Sequence, residues 1–390
     1  MAGAWLVAGI ALGAQVLAAW LSPAPDHFAD LHVYWGAVRE LLTGRGLYSF
    51  SAANGDPFTY PPFAALLLVP VAWLGEGAAQ AVWTALEVVA VLALARLAVR
   101  ASVRPSLGPR GLWLPAVVTV LAVSAPVASS IHFGQVSLFV TVAAAATLVG
   151  GRSGVWAGLA AAVKLTPMVL LPPIAGRRRR DGLVTAGVFV AAGATAWVVF
   201  PHDSVQYWWH ELPHGRYGHE ALVGNQSLAG LLARHPLPVP ATAATLVSVS
   251  AMVAILAVGT WCTVRLARCG AALAAFVVAS CTGLLLSPVS WTHHQTPVIL
   301  GALCVCLSTT RGTTVLRGLV VVVMCVNLSA LPLPVLGSAL DESRLLLIAY
   351  LALLGQYDPM ETLALRPGET AMVPWGNCAT DRATLSSWVS

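Results

Sequence analysis

Apolar stretches alternate with short polar breaks along most of the chain. Ala4–Leu21 is long enough to cross the roughly 30 Å hydrocarbon core of a bilayer as a helix. It has no basic leader region, so a first membrane helix is expected rather than a cleaved signal peptide. Ala78–Leu97, Gly182–Phe200 and Ala241–Val264 read the same way. Leu112–Val127 is read as an outward crossing, Ser129–Ser137 as a polar turn and Leu138–Leu148 as the return. Phe63–Leu74 is apolar but would measure only about 18 Å as a helix, too short to span. Ala271–Leu286, Pro297–Leu307, Leu316–Leu331 and Leu345–Leu354 bring the expected total to about ten crossings.

Positive charge orients these segments. Arg96, Arg100, Arg104 and Arg110 mark one cytoplasmic loop, Arg152 a second, and Arg177–Arg180 a third. With Arg152 and Arg177 on the same side, the chain between them crosses an even number of times. Val155–Val163 and Met168–Ile174 are each too short to cross alone, and Lys164-Leu165-Thr166-Pro167 separates them. Proline removes a donor and disfavours helix at the residue before it. A re-entrant or broken-helix hairpin with Lys164 at its tip is expected. A charge at bilayer depth costs roughly 2.5–3.5 kcal/mol on insertion scales, so this lysine should face a cavity or a partner.

Composition agrees. Of 390 residues, 58% are hydrophobic and 9% charged, against roughly 25% charged in soluble domains. The fold class is therefore an all-α polytopic membrane protein, because helices satisfy their own backbone in lipid. The net charge of +5 sits in arginine clusters between apolar runs, which argues for topology signals and against nucleic-acid binding. There are 20 arginines and one lysine, a bias that fits a GC-rich, actinobacterial genome. All seven cysteines follow residue 261, with no disulfide or zinc spacing. One domain is expected over residues 1–355, followed by a polar cytoplasmic tail, 356–390, without a fixed fold.

The polar loops fall on the face opposite the arginines. The first, Asp26–Pro62, holds four acids, including Asp26 and Asp30, with Tyr34, Trp35 and Tyr60. The second, Pro201–Gly224, is rich in Trp and His, with Arg216, Tyr217, His219 and Glu220 towards its end, and Asn225–Arg234 reads as a short amphipathic helix. The third, Ser287–Gln295, contains Trp291, His293 and His294. One crowded face suggests chemistry at a membrane surface in a multi-pass plasma-membrane protein.

Six segments occur in one order: DLHVYWGAVRELLTGRGLY, FTYPPFAALLL, HFGQVSLFV, AAAVKLTPMVLLPP, NQSLAGLLAR and SPVSWTHHQ. Together they resemble glycosyltransferase family 87, the polyprenyl-phosphate-mannose-dependent α-mannosyltransferases, which include the mycobacterial enzymes that extend phosphatidylinositol mannosides and lipomannan. The resemblance runs from about residue 22 to 310. It implies a GT-C fold and a polyprenyl-phosphate-sugar donor. It also implies a glycolipid or lipoglycan acceptor, an inverting reaction that needs neither metal nor cofactor, and an active site on the extracytoplasmic side. An arabinofuranosyltransferase branch shares these motifs. A reading outside enzymology is a flippase for a lipid-linked sugar.

Inverting transfer needs a base within hydrogen-bond reach of the acceptor hydroxyl. Asp30 matches the family's loop-one aspartate; its bland alternative is a helix cap, and Asp26 is the substitute base. His293 and His294, His294 the more favoured, are placed to bind the donor phosphate or assist the base; alternatively they only bond neighbouring backbone. Two adjacent histidines without a nearby acid or cysteine make a poor metal site. Lys164 is a candidate phosphate contact, or else a snorkelling anchor. Gln135, Asn225 and Gln226 offer amides suited to sugar hydroxyls, or to turns and caps. Tyr34, Tyr60 and Trp291, with Trp35, Trp208 and Trp209, are candidates to stack on sugar, or members of an interfacial aromatic belt.

Overall fold

A computed structural model of the chain describes residues 1–23, 26–102, 110–214, 221–304, 310–328 and 337–354. Arg104, Arg216, Tyr217, His219, Glu220 and the tail from residue 356 lie outside the described residues.

The described chain is helical. Its first half contains α1 (Ala2–Leu21), α2 (Ala29–Leu42), α3 (Pro62–Ala72), α4 (Glu76–Ser102), α5 (Arg110–Val123), α6 (Ala125–Phe133), α7 (Ser137–Leu148), α8 (Val155–Val163), α9 (Leu171–Arg177) and α10 (Arg179–Val199). The second half adds the short α11 (Pro201–Gln206) and α12 (Leu212–His214), then α13 (Leu228–Arg234), α14 (Ala241–Arg268), α15 (Ala272–Leu286), α16 (Thr296–Ile299), α17 (Gly301–Cys304), α18 (Thr310–Cys325), α19 (Gly337–Asp341) and α20 (Ser343–Ala349).

Among the described residues four helices, α1, α4, α10 and α14, are long and apolar enough to cross a membrane, or five if the bent pair α5–α6 is one broken span. Their outward faces are bare: Leu183 is 75% and Val198 82% exposed on α10. Such surfaces are stable only against lipid. Inside, α14 packs on α9 and α15, α8 on α10 and α7, and α1 on α5 and α6.

Three sequence expectations change. The predicted crossing Leu112–Val127 is broken between α5 and α6, which meet at 65°, because Ser124 is extended and Pro126 opens the next helix. The predicted polar turn Ser129–Ser137 is helical through Phe133, and only Gly134 (φ 65°), Gln135 and Val136 lie between the helices. Pro297–Leu307, read as one crossing, is divided at Leu300 into α16 and α17, and residues 305–309 lie outside the described chain. The break at Lys164 is as expected: α8 ends at Val163, Lys164 is extended (φ −147°, ψ 127°), and a 3-10 turn leads into α9.

Candidate active site

Two tight turns meet at the site. Phe28 is the one non-glycine residue with positive φ (48°) among the described residues, and it is fully buried, edge-on to Trp20 and His27. A bulky residue is strained there, and such strain gathers at functional positions. The kink starts α2 at Ala29 and sets Asp30 in its first turn, where a negative charge suits the helix dipole. Phe28, not Asp30, holds the N-cap position, and no side chain caps the helix. The capping alternative for Asp30 is therefore not realised. Opposite, a Cβ at Gly134 would lie 2.7 Å from Leu31 Cβ and 3.2 Å from Phe28 Cδ1. Only glycine permits this approach and the left-handed turn together, and it brings Gln135 against α2.

Gln135 is the hub. Its Oε1 accepts from Tyr34 Oη (2.8 Å), Tyr60 Oη (3.0 Å) and Ser137 Oγ (3.3 Å). The two phenolic oxygens are 2.9 Å apart, so two protons are shared among three short contacts. Its Nε2 lies 3.1 Å from His293 Nε2. An amide nitrogen only donates, so His293 accepts there and carries its proton on Nδ1. The Asp30 carboxyl stands close enough to Gln135 and Lys164 for both to act on its ionisation. Lys164 Nζ donates to Ser137 Oγ (3.3 Å) and sits 5.4 Å from the Tyr60 ring centroid. Asp30, Tyr34, Tyr60, Gln135, Lys164 and His293 thus form one connected group, drawn from positions spread over 264 residues of sequence (293 − 30 + 1).

The electrostatics follow from this crowding. Burial pushes the Asp30 carboxyl up to about 7; the Lys164 cation pulls it down, Asp56 adds to the rise, and the Gln135 hydrogen bond offsets part of it. Burial, and then the Lys164 charge, hold both loop imidazoles well below their usual range, so they are neutral at pH 7. The Trp291 backbone N–H donates to His294 Nδ1 (3.2 Å). That leaves the His294 proton on Nε2.

Two cavities lie on either side of α7. Ser137, Val140, Thr141 and Ala144 face a small one of about 70 Å³, lined also by Lys164 and His294. Phe139, Val142, Ala143 and Ala146 face a far larger apolar groove of about 740 Å³, whose walls include Tyr34, Tyr60, Trp83 and Trp156. Lys164 lines the small cavity and lies beside the ring of Tyr60, which lines the groove.

Other candidates lie elsewhere. Asn225 and Gln226 are buried and bonded to backbone away from the cluster. Trp291 packs beside Gly224. Trp35 donates to Leu74 O (3.0 Å) beneath the Arg39 guanidinium. Trp208 meets Phe189 and Tyr207, and Trp209 meets Trp197. Three residues escaped the sequence reading. Ser137 bridges Gln135 and Lys164. Asp203, buried, accepts the Leu47 N–H at 2.6 Å and pins the first polar loop to α11. Glu87 is fully buried in α4 with both carboxyl oxygens unpartnered. A lone acid inside an otherwise apolar span was its available signal.

A carboxyl, an amine and neutral imidazoles gathered beside an apolar groove, among helices long enough to cross a membrane, are a set of groups suited to acid–base chemistry in a membrane protein. The comparisons specify the class. A family model described as "Glycosyltransferase family 87" matches residues 58–288. The chain is 35% identical over 315 residues to a polyprenol-phosphate-mannose-dependent alpha-(1-2)-phosphatidylinositol mannoside mannosyltransferase of Mycobacterium tuberculosis, covering 74% of this chain and 72% of that protein. It is 30% identical over 325 residues to a polyprenol-phosphate-mannose-dependent alpha-(1-2)-phosphatidylinositol pentamannoside mannosyltransferase of Mycolicibacterium smegmatis, covering 79% of this chain and 77% of that protein. No solved structure matches. The chain belongs to glycosyltransferase family 87. Tyr60, Gln135 and Lys164 fall within the matched family segment, and Asp30, His293 and His294 flank it.

Proposed function

We propose that this protein transfers mannose from a polyprenyl-phosphate-mannose donor to a hydroxyl of a mannose-bearing glycolipid or lipoglycan, forming an α-(1-2) bond with inversion. The observation that carries this reading is the convergence of Asp30, Gln135, His293 and Lys164 on Tyr34 and Tyr60, which line an apolar groove. Asp30 takes the proton of the acceptor hydroxyl. The acceptor oxygen attacks the anomeric carbon as the bond to the phosphate oxygen breaks, and polyprenyl phosphate departs with the electron pair. Lys164 and the His294 Nε2–H balance the charge that gathers on the phosphate. The isoprenoid chain lies in the groove beside α7, and Tyr34 and Tyr60 meet the sugar at its upper end. Gln135 holds Asp30 and His293 in register. We place this site on the extracytoplasmic side of a GT-C scaffold of about ten crossings in the plasma membrane, following the arginine-rich loops on the other face.

The test uses purified protein with a short mannosylated inositol phospholipid as acceptor and EDTA throughout. Polyprenyl-phosphate mannose and polyprenyl-phosphate arabinose are offered side by side. Transfer of mannose, unaffected by EDTA, is the expected result. Transfer of arabinose alone, a strict metal requirement, or movement of lipid without transfer would each overturn it.

A further inference from the structure

We propose that Asn225 is a positioning residue: its side chain fixes the loop that carries His293 and His294, and Gly230 is glycine because that side chain occupies the space beside it. The inference rests on the reading of the histidine loop given above. Its second readout is independent of activity.

Asn225 has no accessible surface, and neither cavity is lined by it. Its Oδ1 accepts the backbone N–H of Ser290 at 2.8 Å and of Ser227 at 3.3 Å, and its Nδ2 donates to Pro288 O at 3.3 Å. The neighbouring residues repeat the connection. Gln226 N–H donates to Ser290 O (3.0 Å), and Ser227 Oγ donates to Pro288 O (3.2 Å) while accepting the Gly230 N–H (3.0 Å) at the start of α13. Residues 225–227 thus lie against 288–290 like a short clasp. Ser290 is three residues before His293, whose Nε2 bonds Gln135 at the centre of the site. A side chain engaged at both ends with main chain has nothing left for a sugar hydroxyl, which is why its role differs from that of Gln135.

The clasp is itself anchored. Arg234, at the end of α13, donates to Asn225 O (2.9 Å) and Leu222 O (2.8 Å). It also forms a bidentate pair with Glu342 at 2.6 and 2.7 Å, both side chains 9% exposed. Gln226 Nε2 donates to Asp341 O (2.9 Å), and its Oε1 accepts the Leu345 N–H (2.6 Å). The histidine loop is therefore tied through 225–234 to the helices at 337–349. A Cβ at Gly230 would lie 2.5 Å from Asn225 O, 2.7 Å from its Cγ and 2.8 Å from its Nδ2. A methyl group there must displace the amide without removing it.

The experiment compares Asn225→Ala and Gly230→Ala with the unaltered protein, measuring kcat, KM for donor and acceptor, and amide hydrogen exchange across 286–296. Misplacing the loop should lower kcat by about 10- to 100-fold in both variants, with each KM changed by less than about threefold. Exchange at Ser290 and its neighbours should accelerate in both, while α4 and α15 stay protected. A raised donor or acceptor KM with kcat intact would make Asn225 a substrate contact and overturn the proposal. So would unchanged exchange at 288–294 in Asn225→Ala. Should the unaltered protein transfer no mannose, the functional reading falls, yet the exchange measurement still decides whether Asn225 holds the loop.

Discussion

Replacing Asp30 with Asn should lower transfer by about 10²- to 10⁴-fold, the contribution expected of a positioned general base. Asn has nearly the shape of Asp, but it cannot take a proton. The start of α2 does not depend on an Asp30 cap. No side chain caps α2, and its start is set by the Phe28 kink and the Gly134 contact. Donor binding should therefore stay within a few-fold of the unaltered protein while turnover is lost. A single-turnover assay beside a donor-binding titration separates the two quantities. Transfer within about threefold of normal would leave Asp30 a structural residue.

The second large effect is expected at Lys164. Lys164→Gln removes the amine that lines the small cavity beside Tyr60. Loss of a preorganised charge facing a leaving group typically costs about 10²- to 10³-fold in kcat. A second consequence identifies the mechanism. The Lys164 cation lowers the affinity of Asp30 for its proton. Without it Asp30 holds the proton more tightly, so the rising limb of the pH–rate profile should move to higher pH. A helix anchor would give neither effect: the variant would melt earlier, with the profile unmoved. Rate and pH profile measured on one preparation distinguish the outcomes.

The sequence made the helical membrane class legible, because a composition with 9% charge admits little else. The break at Lys164 was legible too, since Thr166-Pro167 cannot continue α8 and the charge demands a cavity. The bend between α5 and α6 was missed because hydropathy averages over Ser124 and Pro126, while the backbone responds to each singly. At the site, Asp30, Tyr34, Tyr60, Gln135, Lys164 and His293 were named singly from their loops and prove to be one network. Their mutual contacts were not legible, since they depend on the approach of Gly134 to Leu31. Asn225 and Gln226 show the converse. An amide in a polar loop looks the same in sequence whether it meets a sugar or its own main chain, and here long-range packing decides for the main chain. Ser137 was hidden by its apolar neighbours.

The pH dependence of kcat/KM for mannose transfer addresses the central claim most directly, since it reports the ionisation of the free enzyme's essential base. Asp30 is held up to about 7 by burial. It acts as a base only when ionised, so kcat/KM should rise with pH through a midpoint near 7. A rate already at its plateau at pH 5, as an ordinary solvent-exposed carboxylate would give, would contradict the assignment of Asp30 as the buried base of this enzyme.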